Sequence, residues 1–346
     1  MSTQQLPEKM RAVELTAYEG GADALAVVDR PVPTPGAGQV LVRIHASPVN
    51  PSDLSFLRGA YGIKKKLPVV PGFEASGEVV ASGGGVWANH IVGRRVACAA
   101  PATGDGTWAE YMLAEAAFCI PLMKSTDIEQ ASMMIVNPFT AWALLGLAQK
   151  ASARAVVQTA AASALGRMVN RLAAARGVEV VNVVRRREQV ELLKSEGARE
   201  VLDSSEEDFD ARLKEVCKRV GATFAFDAVA GNLTGRVLHA MPTGSECVVY
   251  GGLSMEGCVL DPRSLIFERK RVRGFWLSDW MRTSGMMQKF SASRSVQKLL
   301  KDELRTEIRA RLPLDEAAEG VRLYEREMTG GKILFVPGKQ GLEVRG

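Results

Sequence analysis

Hydrophobic and polar positions change rhythm twice along the chain. From about residue 10 to residue 123, short runs alternate with a period of two between glycine and proline turns. In Gln39-Val40-Leu41-Val42-Arg43-Ile44-His45, the apolar Val40, Val42 and Ile44 share one face. Short strands broken by turns predict a partly open β-barrel or sandwich. From about residue 128 to residue 276, helical and strand runs alternate. Residues 140–149 and 188–195 read as helices, the second stopped at Gly197, and residues 200–202, 223–226 and 247–250 read as short strands. Such repeated units predict a doubly wound parallel sheet, an α/β fold. After Trp280 come two amphipathic helices and a last strand, Lys332-Ile333-Leu334-Phe335-Val336. There is no internal repeat and no low-complexity linker.

The α/β stretch contains one unit with chemistry in it. Val156-Val157-Gln158-Thr159-Ala160 is a β-rich run that enters Ala161-Ala162-Ser163-Ala164-Leu165-Gly166. Ala164, Leu165, Met168, Val169, Leu172 and Ala173 then recur at the spacing of one helical face, and Gly177 leads into the strand Val178 to Val184. In a G-x-G-x-x-G turn the glycines let the backbone approach a pyrophosphate at the helix N-terminus. Here Ala161 and Ser163 hold the first two glycine places and only Gly166 keeps its own, a looser version of that turn. The second strand runs directly into Arg185-Arg186-Arg187. At that position a βαβ nucleotide fold meets the adenosine ribose, and guanidinium groups are bidentate partners for a 2′-phosphate. The reading is therefore NADPH, against the plainer one of an ordinary crossover followed by a solvated basic face.

Composition narrows the class. With 346 residues and 47% hydrophobic content, the chain has material for about two domains with sizeable cores. No apolar run approaches the roughly 20 residues of a membrane span, and the first residues lack a signal-peptide core, so a cytoplasmic protein without membrane contact is expected. Cys98, Cys119, Cys217, Cys247 and Cys258 are scattered and never form C-x-x-C, which argues against disulfides and against a structural zinc lobe. A net charge of +5 without a basic, aromatic-laced stripe points to small anionic ligands and not to nucleic acid.

Asn50-Pro51-Ser52-Asp53, Pro71-Gly72-Phe73-Glu74-Ala75-Ser76-Gly77-Glu78-Val79, Gly106-Thr107-Trp108-Ala109-Glu110-Tyr111 and Gly331-Lys332 together resemble the medium-chain dehydrogenase/reductase superfamily over nearly the whole chain. Its zinc-free quinone reductase and enoyl-thioester reductase branch is the most similar. The resemblance implies a GroES-like catalytic domain (residues 1–127 and 277–346) interrupted by a Rossmann domain (residues 128–276). Zinc alcohol dehydrogenases of the superfamily carry a cysteine and a histidine where this chain has Asn50 and Phe73, and no histidine among His45, His90 and His239 lies at a ligand spacing with a cysteine. No metal site is expected. Without that Lewis acid, the chemistry left is hydride delivery to an activated C=C or to a quinone.

A finer resemblance, to NADPH-dependent trans-2-enoyl thioester reductases, rests on Asn50 to Asp53 with Gly59-Ala60-Tyr61, on Asn137-Pro138-Phe139-Thr140-Ala141, on Tyr250-Gly251-Gly252-Leu253, and on Leu265-Ile266-Phe267 with Arg273-Gly274-Phe275-Trp276-Leu277-Ser278. It implies that Tyr61 is the proton donor. It also implies that Asn137, Ser163, Ala164, Leu165, Gly166, Arg185, Arg186, Arg187, Tyr250, Gly251, Gly252, Leu253, Phe275, Trp276, Leu277 and Lys332 contact NADPH. The family's turn reads Asn-Ser-Gly-Val-Gly, whereas this chain has Ala162-Ser163-Ala164-Leu165-Gly166. Asn50 either polarises a carbonyl, holds the nicotinamide ribose, or simply forms a turn before Pro51. Tyr61 either projects into a cleft or packs its wall, and Phe275 and Trp276 either line an acyl channel or belong to a core. Lys64-Lys65-Lys66 is a rim for thioester phosphates or an exposed loop.

Three functions follow from these residues. They are an enoyl-thioester (enoyl-CoA or enoyl carrier protein) reductase, an NADPH quinone oxidoreductase, and a nucleotide-binding protein without turnover. The branch often pairs the last strands of two Rossmann sheets, so Arg271-Val272-Arg273-Gly274-Phe275 is a candidate homodimer edge.

Overall fold

The computed structural model describes residues 6–338 and the backbone of residues 343–344. In chain order the strands and helices begin with β1 (Lys9–Leu15), β2 (Leu25–Pro31), β3 (Gln39–Pro48), α1 (Pro51–Leu57), β4 (Glu74–Ser82), α2 (Val86–His90), β5 (Arg95–Ala99), β6 (Tyr111–Glu115), β7 (Cys119–Pro121) and α3 (Ile128–Ser132). Next come α4 (Val136–Lys150), β8 (Ala155–Thr159), α5 (Ala164–Ala175), β9 (Glu179–Val184), α6 (Arg187–Ser195), β10 (Glu200–Asp203), α7 (Phe209–Val220), β11 (Ala222–Asp227), α8 (Gly231–Ala240), β12 (Glu246–Val249), α9 (Pro262–Ile266), β13 (Arg271–Gly274) and α10 (Leu277–Thr283). The chain closes with α11 (Met286–Leu299), β14 (Ile308–Leu312), α12 (Ala317–Arg326), β15 (Lys332–Phe335) and β16 (Glu343–Val344).

These elements form two compact units, Met1–Val136 with Ser293–Gly346, and Asn137–Ala292. In the first unit an eight-stranded sheet runs β16-β14-β15-β3-β4-β5-β7, with β6 on β3, beside the antiparallel pair β1-β2. The alternation in β3 puts Val40, Val42 and Ile44 into one core with Val79, Val96 and Met112, as a period of two requires. A second core gathers Val13, Leu15, Phe56, Trp108, Tyr324 and Phe335. The last long strand therefore returns to the first: β15 pairs antiparallel with β3, Leu334 opposite Pro48.

The second unit is a six-stranded sheet in the order β10-β9-β8-β11-β12-β13, every pair parallel. Its central strand β8 is buried at all five positions, the near-continuous apolar run that a sheet covered on both faces needs. The one long polar side chain in it, Gln158, spends its amide nitrogen internally: its Nε2 donates to Asn182 Oδ1 on β9 (2.7 Å) and to the Gly166 carbonyl (3.0 Å), while its buried Oε1 has no partner among the described residues. Helix α5 buries Leu165, Met168, Val169 and Leu172. Gly166 sets how closely α5 lies on the turn before it, because a Cβ there would stand 2.3 Å from the Ala161 carbonyl oxygen.

The boundaries expected at 127/128 and 276/277 differ from those of the compact units, for identifiable reasons. Ser76 Oγ donates to the Ile128 carbonyl (2.6 Å), and Glu74 Oε2 accepts from the amides of Ile135 (2.8 Å) and Val136 (2.9 Å), so residues 128–136 stay with the barrel. Residues 277–292 stay with the parallel sheet, where the Trp280 ring of α10 meets Phe139 of α4 at 6.5 Å.

Candidate active site

In the barrel unit, Asn-Pro-Ser-Asp folds as a helix start. Asn50 is the N-cap of α1, Pro51 occupies the first turn, and Asp53 Oδ2 accepts the Asn50 backbone N–H (2.7 Å). That leaves the Asn50 amide group to reach elsewhere. Its Nδ2 donates to Glu74 Oε1 (2.9 Å), and its Oδ1 accepts from Lys332 Nζ. Lys332 also donates to the Val49 carbonyl (2.9 Å) and to the Tyr324 hydroxyl (3.2 Å). Asn50, Asp53, Glu74 and Lys332 are all buried, none more than 1% exposed. The structure thus puts Asn50 and Lys332, expected to face a ligand, in contact with each other inside the barrel.

Burial dominates the electrostatics of this cluster. It pushes the Asp53 carboxyl up to about 7, against the opposing pull of the Asn50 amide and the Lys332 charge. It raises Glu74 as well, offset by the Val136 amide, Asn50 and Lys332. It lowers the Lys332 ammonium to about 8, offset by Glu74 and Asp53.

Tyr61 sits just beyond α1, where Gly59 takes a left-handed φ of 68° to end the helix. Its half-buried ring packs on Phe73 (centroids 4.8 Å apart), which in turn meets Phe56 at 5.6 Å. Phe73 and Glu74 are neighbours in sequence, so one short segment holds both Tyr61 and Asn50. Lys65 is turned inward: its Nζ donates to the Pro101 carbonyl (3.0 Å) and its backbone is clasped by the Tyr18 hydroxyl, while Lys64 and Lys66 are exposed. Among the described residues there is no group of three or more His, Cys, Asp or Glu side chains that could hold a metal ion. Burial raises the thiols of Cys98, Cys119, Cys217 and Cys247.

In the parallel-sheet unit, the segments expected to contact a dinucleotide follow the carboxyl ends of successive strands. The Ser163 to Gly166 turn follows β8, Arg185 to Arg187 follow β9, Tyr250 to Leu253 follow β12, and Phe275 to Leu277 follow β13. Asn137 opens α4, two residues before the Phe139 that touches Trp280. Ser163 caps α5, its Oγ accepting the Gly166 N–H (3.1 Å). The remaining first-turn amides have no carbonyl one turn back to bind. Arg185, Arg186 and Arg187 are exposed, and Arg187 makes only a loose ion pair to Glu191 at 3.5 Å. Small side chains, a glycine no Cβ could replace, an open helix start and uncommitted guanidinium groups fit a nucleotide with a phosphorylated ribose.

One residue at this edge had gone unremarked in the sequence. Asp227, at the end of β11, is fully buried and accepts four hydrogen bonds. An acidic residue closing an apolar strand before Ala228-Val229-Ala230-Gly231 is the local signal that marks it.

Counted by chain position, the sheet order is 3-2-1-4-5-6, with its switch point between β8 and β11. That order and the Gly166-anchored turn define a Rossmann-type domain, joined in one chain to a barrel of the GroES-like kind. Residues 36–124 match the family described as alcohol dehydrogenase GroES-like domain, and residues 164–292 match the one described as zinc-binding dehydrogenase. A mitochondrial enoyl-[acyl-carrier-protein] reductase of Bos taurus is 31% identical over 280 residues, 79% of this chain and 74% of that protein. A crystal structure described as an NADPH:quinone reductase of Mesorhizobium loti superposes with a TM-score of 0.90 at 36% identity, over 96% of this chain and all of the other. The quinone oxidoreductase of Thermus thermophilus, solved also in complex with NADPH, superposes at 0.74 with 27% identity, over 94% of this chain and all of its own. The chain belongs to the medium-chain dehydrogenase/reductase superfamily, in the branch of enoyl and quinone reductases, and is an oxidoreductase. No helix among the described residues is long and apolar enough to cross a membrane.

Because Asp53 holds its proton up to about 7 in the folded protein, the folded state binds more protons than the unfolded chain between the ordinary carboxylate value and 7. Stability therefore falls as pH rises through that window. Asp53→Asn removes this slope: in urea titrations between about pH 5 and about pH 7, the variant is expected to lose about 2 kcal/mol less stability than the wild type. Parallel curves for the two proteins would show that Asp53 titrates normally.

Proposed function

We propose that the protein is a zinc-independent, NADPH-dependent reductase of activated C=C bonds, with 2-enoyl thioesters as the leading substrate class and a cytosolic setting. The observation that carries this reading is the exposed guanidinium trio at the end of β9, beside the open start of α5. When bound, NADPH would supply a hydride equivalent to the β-carbon of the alkene. The chain's residues would do the rest. Arg185, Arg186 and Arg187 hold the 2′-phosphate, and the α5 amides with Gly166 take the pyrophosphate. Asn137, Tyr250 to Leu253 and Phe275 to Leu277 form the remaining walls.

Tyr61 Oη then delivers a proton to the α-carbon as negative charge develops there. A phenol, whose ordinary pKa is about 10, is a competent acid for an enolate carbon formed in the same step. Zinc has no place in the scheme, because Asn50 and Phe73 offer neither thiolate nor imidazole where the superfamily's metal ligands stand. Asn50 and Lys332 act by position: tied to Glu74, they keep the α1 start, and hence the segment leading to Tyr61, in register. Quinone reduction is the second reading, favoured by the Mesorhizobium loti neighbour and its near-complete superposition. A quinone needs the same hydride and less help from a protein acid.

The subunits would pair through β13. This strand closes one side of the parallel sheet, and Leu265, Ile266 and Phe267 stand exposed just before it, Phe267 at 76%. A second copy related by a twofold axis would pair the two edges antiparallel and cover those side chains.

Three measurements test the scheme. Tyr61→Phe is expected to lower kcat/KM for a 2-enoyl thioester about a hundredfold and to leave quinone turnover within about threefold; equal losses on both would remove Tyr61 as the acid. Neutralising Arg185, Arg186 and Arg187 together should raise KM for NADPH at least about tenfold with NADH nearly unaffected, and an NADH preference in the wild type would overturn the cofactor assignment. Phe267→Arg should convert a dimer to a monomer in sedimentation velocity, whereas a monomeric wild type would refute the β13 pairing.

A further inference from the structure

At the switch point of the parallel sheet, Asp227 ties together strands and loops that meet nowhere else in the sequence. Its Oδ1 accepts the Thr159 hydroxyl of β8 (2.7 Å), the Val229 amide (2.8 Å) and the Ala230 amide (3.2 Å), while Oδ2 accepts the Thr234 hydroxyl of α8. Thr159 Oγ1 in turn accepts the Ala228 amide (2.9 Å). Every amide of the 228–230 turn is thus fixed by this carboxylate–hydroxyl pair.

The turn needs fixing. Ala230 has φ 65° and ψ −149°, a region that only glycine visits without strain. The turn also carries the next loop, because the carbonyls of Asp227, Ala228 and Val229 accept the amides of Tyr250 (2.8 Å), Leu253 (3.0 Å) and Ser254 (2.9 Å). The approach is tight: a Cβ on Gly251 would lie 2.8 Å from the Ala228 carbonyl oxygen. The carboxylate stands just before α8: Val229 and Ala230, its amide donors, precede the helix, and the Thr234 hydroxyl reaches it from the helix itself. Helix α5, one strand away, starts with the neutral cap of Ser163. The two helix starts at the switch point thus differ in their caps, Ser163 at α5 and no side-chain cap at Ala230 of α8.

We infer that Asp227 is a positioning residue for the dinucleotide. With Thr159 it holds the 228–230 turn, and through that turn the Tyr250 to Leu253 ledge. This rests on the NADPH reading above, which supplies the ligand but none of the geometry.

The test uses the full-length Asp227→Ala, Asp227→Asn and Thr159→Val proteins, with amide hydrogen exchange alongside NADPH and acceptor kinetics. In Asp227→Ala, exchange at 228–230 and at 250–254 should quicken at least about tenfold while the other strands keep their protection. KM for NADPH should rise about tenfold or more with KM for the acceptor within about twofold. Asp227→Asn retains an oxygen for the Thr159, Val229 and Ala230 donors and should restore the protection. Its KM for NADPH should fall back toward the wild-type value together with the protection; protection restored with KM still about tenfold high would overturn the link between this turn and the dinucleotide. Unaltered exchange in Asp227→Ala, or equal rises in both KM values, would overturn the positioning role. Should Asp227→Ala fail to fold, Thr159→Val, which breaks both of the hydroxyl's bonds, answers the same two questions. A wild type that shows no saturation with NADPH would refute the cofactor reading, while the exchange data would still decide whether Asp227 fixes the two loops.

Discussion

Strand direction is the constraint from which the rest of the nucleotide half follows. When all six strands run the same way, each must be followed by a connection that starts at one common edge, and each connecting helix presents its amide-bearing end there. Segments spread over more than a hundred positions, from Ser163 to Leu277, are therefore delivered to one rim without any of them having to recognise another. Opposite strand directions would scatter the same residues between two edges. A single glycine keeps the first of these helices seated: at Gly166 the contact with Ala161 is backbone to backbone, and no side-chain rearrangement could relieve a clash there.

The barrel half solves a different problem, that of closing a sheet with a strand that arrives some 280 residues after its partner. Hydrophobic pairing of β15 with β3 gives area but little register, since a slip of one residue still finds apolar neighbours. The Lys332 ammonium supplies the register. It has three acceptors, the Val49 carbonyl, Asn50 Oδ1 and the Tyr324 hydroxyl, and these meet it in one alignment only. A buried cation beside two buried carboxylates is costly to assemble and costlier to break, because removing one member leaves an uncompensated charge away from water. The cluster is thus a poor source of stability and a good source of specificity. It fixes Asn50, then α1, and with α1 the loop that carries Tyr61.

Much of this was legible in the sequence, and the part that was not has a common cause. Periodicity exposed β3, the βαβ unit and the last strand, because each buries a face whose spacing is local. The place of the arginines, exposed at the end of β9, was legible as well, since a charge run directly after an apolar strand has few places to go. For Lys332 and Asn50 the side on which they spend their polar atoms was not visible: it depends on Glu74 and Tyr324, which only the tertiary register brings near. Asp227 was missed for the same reason, its partners Thr159 and Thr234 lying 68 residues before it and 7 after it. The compact units end at 136 and 292 and not at 127 and 276, because the chain stays attached through specific bonds, such as those that Glu74 accepts from the 135 and 136 amides, which no local pattern reveals.

The two halves use buried carboxylates in different electrostatic settings, and the contrast bears on what each of them holds in place. Asp53 and Glu74 share their pocket with a cation and with backbone amides, so their charge is answered inside the barrel and little field reaches outward. Asp227 has no cation hydrogen-bonded to it; its donors are hydroxyls and amides, dipoles that orient toward the charge and leave it in place. Its oxygens are therefore spent on the 228–230 turn and on the Thr159 and Thr234 hydroxyls. That turn also carries the 250–254 segment, whose Tyr250, Leu253 and Ser254 amides it accepts, so one buried carboxylate sets two of the loops that follow the strands. The barrel cluster fixes the register between strands far apart in the chain, whereas Asp227 fixes backbone at the ends of neighbouring ones, and neither has to reach solvent to do so.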